Sequence, residues 1–165
     1  MEWSFITLNK ISRVNAKDVS YEKLIAAVAE FLKKSGKFKV PEWIDVIKSG
    51  PNRYLAPTEP SEWLFIRAAS ILRKLYLAHK GMGVGSFQTH YGGKYERGCQ
   101  HNLTRASSAK VIRYCIKQLE DMKLVETLNV TLKDSDKKYT EGRRVTKKGV
   151  QELNNIAKEL GKKSA

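Results

Sequence analysis

Between residues 107 and 132 the apolar residues change period, and this change limits the fold more than any other feature of the chain. Ile112, Cys115, Ile116, Leu119 and Met122 fall at offsets of three, four, seven and ten. That is the stripe of a helix with one buried face. Beyond it, Leu124, Leu128, Val130 and Leu132 alternate with Val125, Thr127, Asn129 and Thr131, the period-two pattern of a strand. The polar run KDSDKK supplies a turn, and YTEGRRVT reads as the return strand. Gly142 lies inside that strand, where a bulge or the close approach of another backbone is expected. Helix, two-stranded hairpin, helix is the order of a winged helix. In VTKKGVQEL, Val145, Thr146, Gly149 and Leu153 match the way many wings end: an apolar residue, Thr, two variable residues, Gly, and Leu four positions later. Thr146 can cap the closing helix, whose apolar residues are Val150, Leu153, Ile156, Ala157 and Leu160. Gly149 allows that helix to approach its neighbour closely.

Upstream, the spacing predicts a helix from about Ser20 to Ser35, with Ser20 as its cap. Leu24, Ile25, Val28, Phe31 and Leu32 form its stripe, Lys33 and Lys34 suit its end, and Gly36 follows. A short helix begins at Pro41 and turns Trp43, Ile44 and Ile47 inward. A long one spans about Pro60 to Leu77, with Leu64, Ala68, Ile71, Leu72 and Leu75 facing the core. Residues 1–17 show no clear period; Trp3 and Phe5 alternate with polar residues too briefly to assign. The expected fold is mainly α: a winged-helix-like helical domain with a two-stranded β-hairpin wing over residues 14–160. A possibly mobile extension at 1–13 precedes it and a flexible basic tail at 161–165 follows. A chain of 165 residues is long enough for one such core.

The formal net charge is +14, which points to an anionic partner. The excess is concentrated. From Lys80 to Lys117 there are seven Lys and Arg against Glu96, and from Lys137 to Lys148 six against Glu141. Two basic regions in one small domain fit the two halves of a polyanion footprint, although either run alone also fits a solvated face. On the helix from residue 107 to 122, Lys110, Arg113, Tyr114 and Lys117 share a face distinct from the apolar one. No run of eighteen apolar residues exists, and MEWSFITLNKISRV lacks the basic-then-apolar order of a secretory signal. Two cysteines, Cys99 and Cys115, suggest a reducing compartment and no disulfide framework.

The stretch from Gly81 to Gly98 holds six of the eleven glycines. It is not a nucleotide cradle. Gly93-Lys94 is followed by Tyr95 and preceded by Gln88 at the place of the first Walker glycine. The GMGVGS run follows a helix, not a strand, so it also fails the dinucleotide fingerprint. Cys99 and His101 are the only close ligand pair, short of a structural zinc site. Cys115 falls on an apolar stripe, and His79 and His90 have no acidic neighbour. No catalytic residue, metal or cofactor is expected. The stretch reads as a mobile basic connector, with Gly83, Gly85, Gly92 and Gly93 exposing backbone N–H groups beside Lys94 and Arg97.

Several of these stretches resemble one family. KKSGKFKVPEW, WLFIRAASILRKLYL, GVGSFQTHYGGKYERG and GRRVTKKG occur in the order, and with the residue types, of the S-nineteen-e family of eukaryotic and archaeal small-subunit ribosomal proteins. The resemblance covers roughly residues 14–160. It implies a structural protein of the small ribosomal subunit, without enzymatic activity. Such a protein binds rRNA in the subunit head beside other head proteins and supports rRNA maturation. It implies a monomer within a cytoplasmic ribosome, with a nucleolar assembly phase in a eukaryote. By this resemblance Trp63, Arg67 and Arg73 match functionally important positions on the family's long helix. Arg113 matches the basic position on the next amphipathic helix, and Gly142 and Gly149 match the wing glycines. The chain departs from the pattern at His101 and Leu103, which stand where the family has Pro and His, and at Tyr114, where a basic residue often follows Arg113.

On the rRNA reading, phosphates are met by Arg67, Arg73, Lys94, Arg97, Arg105, Lys110, Arg113, Lys117, Arg143 and Arg144, contacts that position without reading sequence. Tyr91 or Tyr95 either stacks on exposed bases or packs within the loop. Trp63 and Trp43 read, from the residues alone, as core packing. Arg67 either meets phosphate, is solvated, or pairs with Glu59 or Glu62. The competing reading is a winged-helix DNA-binding regulator with residues 107–122 in the major groove. Against it, basic charge extends well beyond one groove-facing surface. A membrane-surface helix is excluded because every apolar stripe has a mate for a core.

Overall fold

A computed structural model of the chain describes residues 14–78, 80–131 and 138–163. The N-terminal extension with Trp3 and Phe5, His79, residues 132–137 of the wing turn, and Ser164 and Ala165 lie outside the described residues. The helical core is a mainly α, winged-helix-like domain. Helix α1, Tyr21–Ser35, buries Leu24, Val28, Ala29 and Leu32. It ends at Gly36, whose φ of 63° is the left-handed conformation that favours glycine. Ser20 occupies the cap position but makes no side-chain cap hydrogen bond. Helix α2, Pro60–Leu77, starts on proline and buries Leu64, Phe65, Ala68, Ala69, Ile71, Leu72 and Leu75. It runs antiparallel to α1: Lys33 at the end of one meets Glu62 at the start of the other at 3.0 Å, and Arg73 lies near the Tyr21 ring. Between them a 3-10 turn, Glu42–Val46, drops Ile44 into the core. Pro41 sits just ahead of that turn as its cap.

The glycine-rich stretch is not a loose connector. It forms a short helix α3, Val84–His90, anchored by the fully buried Phe87. An antiparallel hairpin follows, β1 (Gly93–Arg97) with β2 (Gln100–Arg105), turning at Gly98 with φ 66°. This second sheet has a physical reason to be silent in the sequence. Its strands lie almost wholly exposed, so neither face carries the apolar alternation that marks a half-buried strand. Helix α4, Ala109–Asp121, buries Val111, Ile112, Cys115, Ile116 and Leu119, as its stripe predicts.

The wing is β3, Val125–Thr131, paired antiparallel with β4, Lys138–Val145, with a register shift between Leu128 and Asn129 opposite Gly142. Both expectations for Gly142 hold. Besides the bulge, a Cβ there would lie 3.0 Å from the Met82 backbone. Met82 and Arg143 exchange backbone hydrogen bonds of 3.0 Å in each direction, so the segment ahead of α3 docks against the wing. Helix α5, Lys147–Lys163, closes the domain. It continues past Leu160 into the stretch assigned from sequence to a tail. The Thr146 hydroxyl caps it, accepting from the Gly149 N–H at 3.1 Å and donating to the Lys123 carbonyl at 2.8 Å.

The chain also enters the core earlier than its lack of periodicity suggests. Residues 15–18 form a turn, and Ala16 is buried with its N–H bonded to Asn154 of α5 at 3.1 Å. A single isolated apolar residue leaves no period to read.

Candidate nucleic-acid interface

Helix spacing places Trp63, Arg67, Ser70 and Lys74 on one face of α2, at steps of four, three and four. That face meets Tyr91, which α3 delivers just after its last turn. The Arg67 guanidinium carbon lies 4.1 Å from the centre of the Tyr91 ring and 5.0 Å from that of Trp63. The Tyr91 hydroxyl bonds Ser70 at 2.8 Å, and its ring stacks on buried Phe87 with centroids 6.2 Å apart. Arg67 is thus held by rings and not by a carboxylate. Glu62, one of its two possible partners in the sequence, is taken by Lys33, and Arg67 makes no ion pair among the described residues. Burial pulls its guanidinium below the ordinary arginine value. Trp63 belongs both to the edge of the core and to this stack.

The basic side of α4 divides in two. Lys110 lies 4.5 Å from the centre of the Trp43 ring, Trp43 packs edge-on against Tyr114 at 5.3 Å, and the Tyr114 hydroxyl donates to the Lys39 carbonyl at 2.8 Å. The Lys39 N–H in turn donates to Gln118 at 3.1 Å. This flank is therefore partly covered by the segment before α2, although Lys110 itself stays exposed. Arg113 and Lys117 stand exposed on the open flank. The hairpin adds Lys94, Arg97 and Arg105, all exposed, with Arg97 bonded to Gln100. Its base is tied to the domain at a buried polar junction, where the Ser107 hydroxyl donates to the Ser49 carbonyl at 2.8 Å and the Ser107 N–H to the Gln88 carbonyl at 3.0 Å.

The two wing arginines are engaged within the chain. Arg143 pairs with Glu120 of α4 at 3.2 Å, and Arg144 with Glu126 of β3 at 2.8 Å. Both brace the wing, so a phosphate would have to compete with a carboxylate. Arg73 faces the α1 side of α2, away from Arg67; its Nε is buried without a hydrogen-bond partner. The glycines also divide. Gly92 is sterically required, since a Cβ would meet the Arg105 carbonyl oxygen at 2.5 Å, whereas at Gly93 it would meet only the movable end of the Asn52 side chain at 2.7 Å. Gly83 and Gly85 face open space, so none of the described residues requires them to lack a side chain.

The sequence reading did not select Lys74, His90 or Arg53 as site residues, yet all three lie in the neighbourhood of Arg67 or Tyr91. The helical step from Arg67 to Lys74 was legible; the positions of His90 and Arg53 depend on the path of loops. Among the described residues no group of His, Cys, Asp and Glu could hold a metal ion, and no helix is long and apolar enough to cross a membrane. The cysteines differ in kind. Burial pushes the Cys115 thiol up to about 12, whereas Cys99 is exposed in the hairpin turn. A thiol reagent at pH 8 is therefore expected to label one cysteine per native chain, Cys99, and both after denaturation. Mass spectrometry of the labelled peptides checks this, and rapid native labelling of Cys115 would contradict the packing of α4.

A family model described as Ribosomal protein S19e matches residues 15–163. A protein of Mya arenaria named small ribosomal subunit protein eS19 is 41% identical over 152 residues, covering 92% of this chain and 94% of that one. One of the same name from Entamoeba histolytica is 41% identical over 143 residues, 87% of this chain and 84% of the relative. The eS19A protein of Schizosaccharomyces pombe is 39% identical over 147 residues, 89% and 94% of the two chains. With the fold, the basic face and the match across nearly all of the described residues, the chain belongs to the ribosomal protein S19e family, a family of structural and not enzymatic proteins.

Proposed function

We propose that this chain is a structural constituent of the small ribosomal subunit. It is held on the rRNA of the subunit head by the face built from α2, α3, α4 and the β1–β2 hairpin, beside neighbouring head proteins, and it supports rRNA maturation and subunit assembly. The observation that carries the reading is Arg67: a cation fixed by aromatic rings, partly withdrawn from water, and without an ion pair among the described residues. An RNA phosphate supplies the counter-charge. Arg113, Lys117, Lys94, Arg97 and Arg105 extend the same chemistry as exposed donors. Lys110 and Arg73 are partly committed to packing, and Arg143 and Arg144 brace the wing. The hairpin supports the reading independently. An exposed two-stranded sheet is marginal alone, and one that carries three cations without an ion pair among the described residues is stabilised further by an anionic surface. Its working place is then the cytoplasmic ribosome, as one copy per subunit, with a nucleolar assembly phase in a eukaryotic source.

The DNA-regulator reading loses support from the geometry. A helix reading the major groove presents its polar face to the bases, but one flank of α4 is partly covered by Trp43 and the Lys39 segment.

Tagged chain expressed in its source cells is expected to sediment with small subunits and to stay there through a moderate-salt wash. Recovery only as free or promoter-bound protein would sink the proposal. Binding of the purified chain to an rRNA head transcript is expected to weaken steeply with salt. About six phosphate contacts correspond to a slope of roughly −4 to −5 in log K against log salt. A nearly flat response would contradict an electrostatic footprint.

A further inference from the structure

Two cations and a histidine converge on one aromatic ring. The Arg67 guanidinium carbon is 4.1 Å, and the Lys74 Nζ 5.9 Å, from the centre of Tyr91, and the His90 ring is 5.2 Å from it, edge to face at 80°. None of the three makes an ion pair among the described residues. Arg53, on the loop before α2, adds a further positive charge that acts on Arg67. Burial lowers the affinity of Arg67, Lys74 and His90 for their protons; Lys74 and Arg67 depress His90 further, and Arg73 depresses Lys74. The ring contact favours Arg67, but gathering Lys74 and Arg53 near the same half-buried ring costs repulsion. An anion among them relieves it.

We propose that Tyr91 is the hub of a preformed seat for a single RNA phosphate, in which Arg67 and Lys74 donate to the same phosphate, His90 stands beside them, and the Tyr91 ring is the positioning residue. The inference rests on the rRNA reading and goes beyond it by adding Lys74, His90 and Tyr91 to the site and assigning them one ligand group. The ring is fixed on both sides. Phe87 stacks on it from the core, and the Ser70 hydroxyl holds its oxygen at 2.8 Å. A cation lying over a fixed ring loses little freedom when it binds. Tyr91 is thus committed to Arg67 and is not a free platform for stacking on a base. An RNA phosphate is favoured over the carboxylate of a neighbouring protein because the exposed cations of α4 and the hairpin prolong the charge well beyond one acidic side chain.

The test is equilibrium binding of the full chain to an in-vitro transcript of the rRNA head segment, first at one fixed salt concentration and then across a salt series. Arg67→Gln and Lys74→Gln are each expected to weaken binding roughly tenfold, the size of one charge-assisted hydrogen bond. Because they serve one phosphate, the double variant loses far less than the product of the two, and its salt slope falls by no more than one phosphate's worth, about 0.7 to 0.9. Tyr91→Leu is expected to weaken binding in the wild-type and Arg113→Gln backgrounds but to add little in the Arg67→Gln background. Tyr91→Phe, which keeps the ring and loses the bond to Ser70, recovers most of that loss. Circular dichroism confirms that each variant is folded, and if Tyr91→Leu is not, the Arg67 and Lys74 pair decides. Multiplicative losses with a slope change near two phosphates overturn the seat, as does an equal Tyr91→Leu effect in every background. Unchanged binding in the Lys74 variant also overturns it, including the case where the cluster takes a protein carboxylate instead. If the wild-type chain does not bind the transcript, the rRNA reading itself falls, and the seat with it.

Discussion

A chain carrying Arg67→Glu together with Arg113→Glu is expected to fold and yet fail to enter small subunits. Neither arginine holds the domain together. Arg113 is exposed on the open flank of α4, and Arg67 touches rings and makes no ion pair among the described residues. A glutamate at 67 would also find a cation at hand in Lys74, so burial does not leave it unpaired. The consequences for binding are of another order. Each reversal removes a charge-assisted contact worth about 1.5 to 3 kcal/mol and then sets a carboxylate against phosphate. Two such changes correspond to a loss of at least roughly a hundredfold in affinity. Gradient sedimentation of tagged double variant should place it at the top of the gradient while its circular dichroism matches wild type. A folded double variant that enters subunits normally would remove both residues from the interface.

The largest effect on stability is expected at Gly149. A Cβ there would lie 2.5 Å from the Leu124 carbonyl oxygen and 2.6 Å from Val145 Cγ1. The obstacle is stiff, since that carbonyl already accepts from the Thr146 N–H at 3.0 Å, and Leu124 and Val145 are both buried. Gly149→Val must lift the first turn of α5 from the wing, at a cost of about 3 kcal/mol or more. For a domain of this size that lowers Tm by roughly 10 °C. Gly85→Ala is the natural contrast. It faces open space on an exposed helical turn, so it should be neutral or raise stability by a few tenths of a kcal/mol. Thermal unfolding followed by circular dichroism compares the two. An unchanged Tm for Gly149→Val would contradict the packing of α5 against the wing.

What the sequence discloses depends on which interactions leave a periodic trace. Helices α1, α2 and α4 and the wing do, because each buries one face, and a buried face imposes its period on the residues. Gly142 was legible for the same reason, as an exception within a pattern. The β1–β2 hairpin was not, since strands exposed on both faces impose no alternation. The site was legible as charge and only partly as geometry. Arg67 and Arg113 stand out as cations on helix faces, but the contact between Arg67 and Tyr91 joins residues 24 apart through a loop whose path no local rule determines. Nor could the pairing of Arg143 with Glu120 or of Arg144 with Glu126 be read from spacing. These pairs turn two apparent phosphate donors into braces, and they shift the weight of the proposed interface from the wing to α2, α4 and the hairpin.

The proposed interface fixes which surface of the chain would face rRNA. A density map of small subunits purified from the source organism tests this directly. The expected result is one copy of the chain in the subunit head, with Arg67, Arg113 and the β1–β2 hairpin against the rRNA backbone and a phosphate beside Tyr91. A map that shows the chain with this face turned to solvent, or small subunits that lack the chain altogether, would contradict it.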